Sequence, residues 1–182
     1  MRLILFGVAG SVGAGVLREC LRDPEVQAVL AVGRSSCGLA HAKLTELVRP
    51  DLFALEPIGG YDACLFCGEE DLALSVARTA TVPRFCYTGG QDSGDALLAL
   101  DLDVYVFRPG YVHPARGVRS RTWYRMVYVA AAPVQPLIRR LFPARVTTEE
   151  ALGRAMIRVA AYGWDTRVLD ARAVNAAADL VP

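Results

Sequence analysis

Short apolar runs alternate with helix-spaced apolar positions along residues 1–112. A run without polar alternation predicts a strand that is buried on both faces, and the helical spacing between runs predicts crossover helices. This alternation is typical of a parallel sheet that helices cover on both faces. The predicted strands lie at residues 2–6, 26–32, 61–68, 84–88 and 104–107, with a helical turn and a short extended piece between residues 44 and 55.

The turn after the first strand contains three evenly spaced glycines, Gly7, Gly10 and Gly13. We predict that Gly7 permits a tight turn, that Gly10 lets a pyrophosphate approach the backbone, and that Gly13 lets the next helix pack on the strand. The start of that helix supplies unpaired N–H groups and a partial positive charge, which together stabilise a phosphate. A glycine-rich turn without a ligand is the alternative. The strand, turn, helix and second strand predict a Rossmann-like, doubly wound α/β fold.

The second predicted strand is followed by Arg34, Ser35 and Ser36. In a dinucleotide site, an acidic residue at this place binds the ribose 2′-hydroxyl and selects NAD. A guanidinium and hydroxyls suit a 2′-phosphate instead. A charge-assisted hydrogen bond of about 1.5–3 kcal/mol favours NADP over NAD by roughly ten- to a hundredfold. The alternative is that Arg34 is a solvated loop residue.

The character of the sequence changes after Tyr111. Trp123–Phe142 is rich in aromatic and apolar residues, but its arginines and prolines argue against a transmembrane helix. We predict that this segment is a lid, a substrate wall, or an interface for a second copy or a partner protein. Thr147–Glu150 predicts a capped helix start, whereas the alanine-rich tail from Ala171 predicts no particular element. We therefore expect a nucleotide-binding core at 1–112 and a small helical cap at 113–182 in the same domain, which contributes a substrate or interface region.

The composition excludes several classes of protein. The 182 residues are 53% hydrophobic, which allows a substantial core, and 20 basic against 19 acidic residues give a net charge of +1. A net charge this close to zero gives no electrostatic reason to expect binding to nucleic acid or to an anionic membrane. The five cysteines lie mostly in apolar runs, which predicts reduced thiols in a cytoplasmic protein, and the amino-terminal strand does not fit a signal peptide. The two histidines are far apart, and no glycine loop is followed by Lys-Ser or Lys-Thr, so we predict neither a metal site nor a P-loop.

The glycine turn, Arg34, the strand end Cys67–Gly68 and the Arg-Pro-Gly within Phe107–Tyr111 together resemble the atypical short-chain dehydrogenase/reductase family. The resemblance extends to about Asn175 and is strongest to its small NAD(P)-binding, epimerase-like members, which include NmrA-like and Tat-interacting-protein-30-like proteins. It implies NADP as the cofactor, with NAD less favoured, and a small-molecule substrate that the sequence does not identify. By this resemblance the pyrophosphate is bound by Gly7, Gly10, Ser11, Val12 and Gly13, the 2′-phosphate by Arg34 and Ser35, the adenine by Asp51 and Leu52, the middle of the cofactor by Cys67 and Gly68, and the nicotinamide side by Thr88 and Pro109.

One departure from the family concerns catalysis. Its enzymes use a tyrosine followed four residues later by a lysine, which lowers the pKa of the tyrosine and holds the ribose. The only lysine in this chain is Lys43, and the residue four positions before it is Leu39, so the dyad is absent and no catalytic residue is predicted. The connections after Gly68 and before Gly94 are also shorter than the family's. Either the catalytic elements have been lost, or the segments that carry them are not part of this sequence.

Three functions are compatible with these features. The first is an NADP-linked oxidoreductase or epimerase-like protein. The second is a noncatalytic, redox-sensing NADP(H)-binding regulator that acts through residues 123–142. A methyltransferase-like protein is disfavoured because its ligand would favour an acidic residue where Arg34 stands. A missing segment with Tyr-x-x-x-Lys would favour the first function, and a complete chain with short, ordered turns at Gly68 and Gly94 would favour the second.

Overall fold

The computed structural model describes residues 1–90, 92–109, 111–113 and 146–180. In these residues a seven-stranded sheet has the order β3-β2-β1-β4-β5-β6-β9, and all its strand pairs are parallel. A separate parallel pair joins β7 to β8. The strands are β1 (Arg2–Phe6), β2 (Ala28–Gly33), β3 (Leu44–Val48), β4 (Ala63–Cys67), β5 (Arg84–Thr88), β6 (Asp103–Arg108), β7 (Tyr111–His113), β8 (Val146–Thr148) and β9 (Val168–Asp170). The helices are α1 (Ser11–Arg22), α2 (Glu70–Thr79), α3 (Asp95–Leu98), α4 (Glu149–Tyr162) and α5 (Ala171–Asp179).

The strand order reverses beside β1, which pairs with β2 on one side and with β4 on the other. The crossover from β1 through α1 leads to β2, whereas the chain after β3 returns to the other side of β1 as β4. The connections therefore diverge at the carboxyl ends of β1 and β4, where open α/β sheets form their ligand crevice. The predicted doubly wound parallel sheet is confirmed.

Two apolar clusters occupy the two faces of the sheet. Alternate residues of β1 divide between them: Leu3 and Leu5 belong to one cluster, and Ile4 and Phe6 belong to the other. The first cluster includes buried residues of α1, α4 and α5, whereas the second includes those of α2 and α3. The helices thus cover both faces, as the sequence predicts, and a strand covered on both faces has no need of polar alternate positions.

Helices α1 and α4 pack at unusually close range because each presents a glycine to the other. A Cβ atom on Gly15 would lie 2.5 Å from the Cβ of Glu149, and one on Gly153 would lie 2.9 Å from the Cγ of Glu19. Both carboxylates are buried and are paired with arginines: Arg18 lies 3.3 Å from Glu149, and Arg154 lies 3.7 Å from Glu19. Such pairing is what a buried charge requires.

The carboxyl-terminal elements belong to the layers of the sheet. Strand β9 pairs with β6, and α4 and α5 contribute to the cluster that contains α1. The predicted cap of α4 is confirmed, since the Thr148 side chain accepts a hydrogen bond from the N–H of Ala151 at 3.1 Å. The tail without a predicted element forms α5, whose cap Asp170 accepts from Ala173 at 2.8 Å. The division at residue 112 stays a prediction.

The segment between residues 44 and 55 differs from the expectation of a helical turn. Its extended piece is strand β3, and the residues that follow form a turn without a helix. The reason is the free edge of β2, which offers a ladder of backbone groups that pair in register from Val29 with Leu44 to Gly33 with Val48. Among the described residues no helix is long and apolar enough to cross a membrane. The segment Trp123–Phe142, with its predicted lid or interface, lies outside the described residues.

Candidate functional site

A cavity of about 340 Å³ lies at the carboxyl ends of β1, β2 and β4, where the strand order reverses. Its lining unites residues from four parts of the sequence. Three of them are strand ends that the parallel sheet brings together, and the fourth is Leu52. The residues predicted from the sequence that line it are Gly7, Arg34, Ser35, Leu52, Cys67 and Gly68.

A second cavity, of about 490 Å³, lies at the opposite ends of the strands, where they begin. Its one lining guanidinium, Arg84, is already engaged by the Asp103 carboxylate at 2.9 Å and by the Ala160 carbonyl at 2.6 Å. The hydroxyl of Tyr162 likewise donates to Glu25 at 2.9 Å. Although this cavity is larger, its polar groups are used within the protein, and it lies at the amino ends of the strands. We therefore place the candidate site in the smaller cavity.

The three glycines of the turn differ in their φ angles and in the room that each leaves for a Cβ atom. Gly7 has a φ of +85°, and a Cβ atom there would lie 1.8 Å from the carbonyl oxygen of Cys67. A Cβ on Gly13 would lie 2.1 Å from the carbonyl oxygen of Gly7. Gly10 differs, because its φ is −83° and the nearest atom to a Cβ would be the Gly7 oxygen, at an ordinary 3.5 Å. The protein itself therefore requires glycine at positions 7 and 13, but not at position 10.

The start of α1 is left open to an anion. Gly10 is its N-cap and provides no side-chain hydrogen bond, and the first turn, which includes Ser11 and Val12, contains no acidic residue. By contrast, α2 begins with Glu70 and Asp71, whose charges suit its dipole. The first N–H groups of α1 thus have no side-chain cap and no acidic residue within their own turn.

At the end of β2, Arg34 and Ser35 are exposed residues of the cavity wall. The turn that follows them is held by a residue that the sequence does not single out, Glu46 on β3. Its carboxylate accepts a hydrogen bond from the Ser36 hydroxyl at 2.7 Å and another from the Cys37 N–H at 2.6 Å. The contact depends on the pairing of β2 with β3, so no local sequence signal identifies it.

The residues predicted to border the adenine separate in the structure. Leu52 lines the cavity and is buried, whereas Asp51 is exposed and is not among the lining residues. The carboxylate of Asp51 accepts a hydrogen bond from the N–H of Phe53 at 2.9 Å, which closes a local turn. Asp51 thus positions the backbone around Leu52.

The predicted nicotinamide side lies along the ends of β4, β5 and β6. Cys67 is in register with Thr88, and the N–H of Gly68 donates to the Thr88 carbonyl at 3.2 Å. Thr88 and Pro109 are buried and are not among the lining residues of the cavity. Burial raises the pKa of the Cys67 thiol to about 12, so the Cys67 side chain carries no charge at neutral pH. The sequence did not single out Glu69, which also lines the cavity beside Gly68.

Neither half of a Tyr-x-x-x-Lys dyad is found at the cavity among the described residues. The ammonium of Lys43 donates to the backbone carbonyl of Asp23 at 2.7 Å, and Lys43 does not line the cavity. Tyr87 is buried, and its hydroxyl lies 3.2 Å from both the Gly68 carbonyl and the Ser93 hydroxyl. Burial raises the pKa of Tyr87, and its contacts tie the end of β4 to the turn before α3. Tyr87 therefore has a structural role in the described residues.

No family model matches the chain, and no curated protein matches it in sequence. Solved structures do match its fold. A Rossmann-fold NAD(P)-binding family protein from Shigella flexneri has a TM-score of 0.61 and 14% identity, with 90% of this chain and 88% of that chain covered. A short-chain dehydrogenase family protein from Francisella tularensis has a TM-score of 0.54 and 12% identity, with 94% and 98% covered.

A human epimerase family protein, solved with NADPH, has a TM-score of 0.58 and 14% identity, with 93% of this chain and 73% of that chain covered. These matches extend over most of the chain, so they compare whole folds rather than one shared motif. They agree with the fold that the sequence resemblance implies. The chain has the Rossmann fold that these NAD(P)-binding, dehydrogenase and epimerase structures share.

Proposed function

We propose that the chain binds NADP(H) in the cavity at the ends of β1, β2 and β4. The observation that carries this proposal is that one cavity unites the glycine turn at Gly7 with Arg34 and Ser35. The turn lies at the strand-order reversal, where dinucleotides bind in open α/β sheets. A dinucleotide that crosses this point has its pyrophosphate beside the start of α1 and its adenosine ribose beside the end of β2.

Gly10 supports a ligand at the turn. Neither its φ nor a contact within the protein demands a glycine, unlike at Gly7 and Gly13. A ligand that approaches the backbone closely would demand one, since any Cβ would take up its space. We assign the pyrophosphate to the N–H groups of Ser11 and Val12, beside Gly10, whose own N–H donates to the Gly7 carbonyl at 3.0 Å. The helix start offers a partial positive charge there.

Arg34 and Ser35 support a 2′-phosphate over a 2′-hydroxyl. Both are exposed in the wall of the cavity, and the structure gives neither side chain a carboxylate partner among the described residues. A guanidinium with free N–H groups matches a phosphate in charge and geometry. On the other side of the switch point, Cys67 and Gly68 line the cavity and form the nicotinamide side in this proposal. The buried Thr88 and Pro109 are assigned to the same side without lining the cavity, and Leu52 borders the adenine.

For the reaction, we propose an NADP(H)-linked oxidoreductase or epimerase-like protein that acts on a small molecule. The support is the fold shared with dehydrogenase and epimerase family structures, one of which was solved with NADPH. We also propose a cytoplasmic location, because all five cysteines are free thiols. The catalytic groups stay unassigned, since the described residues place no tyrosine and lysine together at the cavity.

A noncatalytic NADP(H)-binding regulator is the second candidate, and one observation favours it. The turn between β5 and α3, where the family's catalytic segment would begin, is short and is held by one hydrogen bond within it and another to α2. The hydroxyl of Ser93 donates to the Gly90 carbonyl at 2.7 Å, and the N–H of Gly94 donates to Glu70 at 2.9 Å. A turn closed in this way leaves no place for a long helix. Such a regulator would contact its partner through residues 123–142, which lie outside the described residues.

The proposal is tested by titrating the protein with NADPH and NADH and following the fluorescence of the reduced nicotinamide. We expect NADPH to bind at least about tenfold more tightly than NADH. Arg34→Ala should remove most of this preference by weakening NADPH alone. Arg172→Ala is the matched control, because it removes an exposed arginine on α5, away from the cavity. If neither nucleotide binds, the proposal is wrong.

The two candidate functions are separated by a turnover assay on the same sample. The protein is incubated with NADPH and a panel of small aldehydes, ketones and nucleotide sugars, and the loss of absorbance at the reduced nicotinamide band is followed. Turnover would favour the oxidoreductase, whereas tight binding without turnover of any compound would favour the regulator.

A further inference from the structure

We propose that Glu46 is a positioning residue for the 2′-phosphate: its carboxylate holds the turn that follows Arg34 and Ser35 and so keeps these two side chains at the cavity. The inference rests on the proposed binding of NADP(H). It concerns a residue on a different strand from the one that carries the phosphate ligands.

The contacts that carry the proposal lie in two consecutive residues. One carboxylate oxygen of Glu46 accepts from the Ser36 hydroxyl at 2.7 Å, and the other accepts from the Cys37 N–H at 2.6 Å. The Ser36 hydroxyl in turn accepts from the Gly38 N–H at 3.0 Å. Gly38 has a φ of +69°, which glycine adopts readily. One carboxylate thus fixes three consecutive residues directly after Ser35.

The sheet places this carboxylate where it can act on the turn. Glu46 lies opposite Ala31 in the parallel register of β2 and β3, and Gly33 lies opposite Val48. The backbone N–H of Arg49 donates to the Gly33 carbonyl at 3.0 Å, which continues the pairing to the end of β2. The turn is therefore held at two places: at Gly33 by the strand pairing, and at Ser36 and Cys37 by Glu46. Arg34 and Ser35 lie between these two places.

The electrostatics of Glu46 agree with a role in holding the turn. Hydrogen bonds from the thiol and the N–H of Cys37, and from the Ser36 hydroxyl, hold the pKa of Glu46 below its usual value. The carboxylate is therefore ionised at neutral pH, and hydrogen bonds to an ionised acceptor are the stronger ones. Both of its oxygens are used by the turn, and Glu46 does not line the cavity.

The charge of Glu46 allows a test that separates position from electrostatics. A negative charge near a phosphate repels it, so removing the charge alone would tighten the binding of NADPH. Removing the anchor of the turn would instead loosen Arg34 and Ser35 and weaken NADPH. The two effects change the affinity for NADPH in opposite directions. The affinity for NADH, which lacks the 2′-phosphate, should change in neither case.

The experiment compares the dissociation constants of NADPH and NADH for the unchanged protein, Glu46→Ala, Glu46→Gln and the control Glu56→Ala. Glu56 is exposed and does not line the cavity, so its variant matches the loss of charge without touching the turn. We expect Glu46→Ala to weaken NADPH by about tenfold and NADH by less than about twofold. Glu46→Gln retains an acceptor for the Cys37 N–H and removes the charge, so it should bind NADPH at least as tightly as the unchanged protein.

Hydrogen exchange without nucleotide supplies a second measurement. The Cys37 amide should exchange slowly in the unchanged protein and much faster in Glu46→Ala. Three results for Glu46→Ala would overturn the proposal. They are unchanged exchange of the Cys37 amide, NADPH binding that is unchanged or tighter, and an equal loss of affinity for NADPH and NADH. If the unchanged protein binds neither nucleotide, the proposed function fails and this inference fails with it. That outcome is visible before any variant is measured.

Discussion

A Cβ atom on Gly7 would lie 1.8 Å from the carbonyl oxygen of Cys67. Gly7 directly follows β1, and Cys67 is the last residue of the neighbouring strand β4, at the point where the strand order reverses. The backbone of the first turn therefore touches the backbone at the end of β4, with no side chain between them. The shape of the crevice follows from this contact, which leaves no room for a side chain at Gly7.

We expect Gly7→Ala to destabilise the fold by about 3 kcal/mol or more, because the new Cβ meets backbone atoms and the φ of +85° is unfavourable for alanine. Urea denaturation measures this loss. If the variant does not fold, the yield of soluble protein is the readout. A variant as stable as the unchanged protein would show that β1 and β4 are not in contact at this point.

Gly10→Ala should leave the stability of the fold almost unchanged but weaken the binding of NADPH. Its Cβ would meet only an ordinary contact at 3.5 Å, so we expect a change in unfolding free energy within about 0.5 kcal/mol. The affinity for NADPH should fall by about tenfold or more, because the methyl group would occupy the space that we assign to the pyrophosphate. Urea denaturation and fluorescence titration on one preparation test both parts, and unchanged NADPH binding would contradict the assignment of this turn.

Thr148→Ala should lower the free energy of unfolding by about 1 kcal/mol, since the Thr148 side chain caps α4 through the N–H of Ala151 at 3.1 Å. Thr148→Ser keeps the hydroxyl acceptor and should retain most of the stability. Urea denaturation of both variants distinguishes the cap from the methyl group. Equal losses in the two variants would point to packing rather than capping.

Stability should fall at alkaline pH. Burial raises the pKa of Cys67 from 9.0 to about 12, so the folded state keeps a proton that the unfolded state loses above pH 9. The stabilising effect of this thiol is full below pH 9 and is lost as the pH rises from 9 towards 12, by up to about 1.4 kcal/mol per pH unit. Cys67→Ala should flatten this dependence in urea denaturation measured between pH 8 and 10. A slope unchanged by the substitution would assign the effect to the other buried thiols.

Much of the fold was predictable because its signals are local. The apolar run of β1, the glycine turn and the capping residues of α4 each lie within a few neighbouring positions, and their structural reasons act over the same distance. Strand β9 lacks such a signal, since only Leu169 of its three residues is buried and it is defined by its pairing with β6. The β3 edge and α5 likewise depend on partners that are distant in the sequence.

The residues of the candidate site likewise divide into those that have a local sequence signal and those that depend on distant partners. Gly7, Arg34 and Gly68 could be predicted because each follows a strand, and parallel strands bring their carboxyl ends together. Glu46 could not be predicted, because its relation to Ser36 and Cys37 depends on the register between β2 and β3. A shift of that register by one residue would turn the carboxylate to the other face of the sheet.

The close packing of α1 against α4 has a consequence for the order in which the protein is made. Arg18 and Glu149 are 131 positions apart, so the ribosome completes the glycine turn and most of the sheet long before it releases the helix that covers α1. During that interval the apolar side of α1, with Val16 and Leu17, lacks its partner. The nascent chain must therefore expose an apolar surface on α1, directly after the glycine turn, until α4 has been synthesised and can cover it.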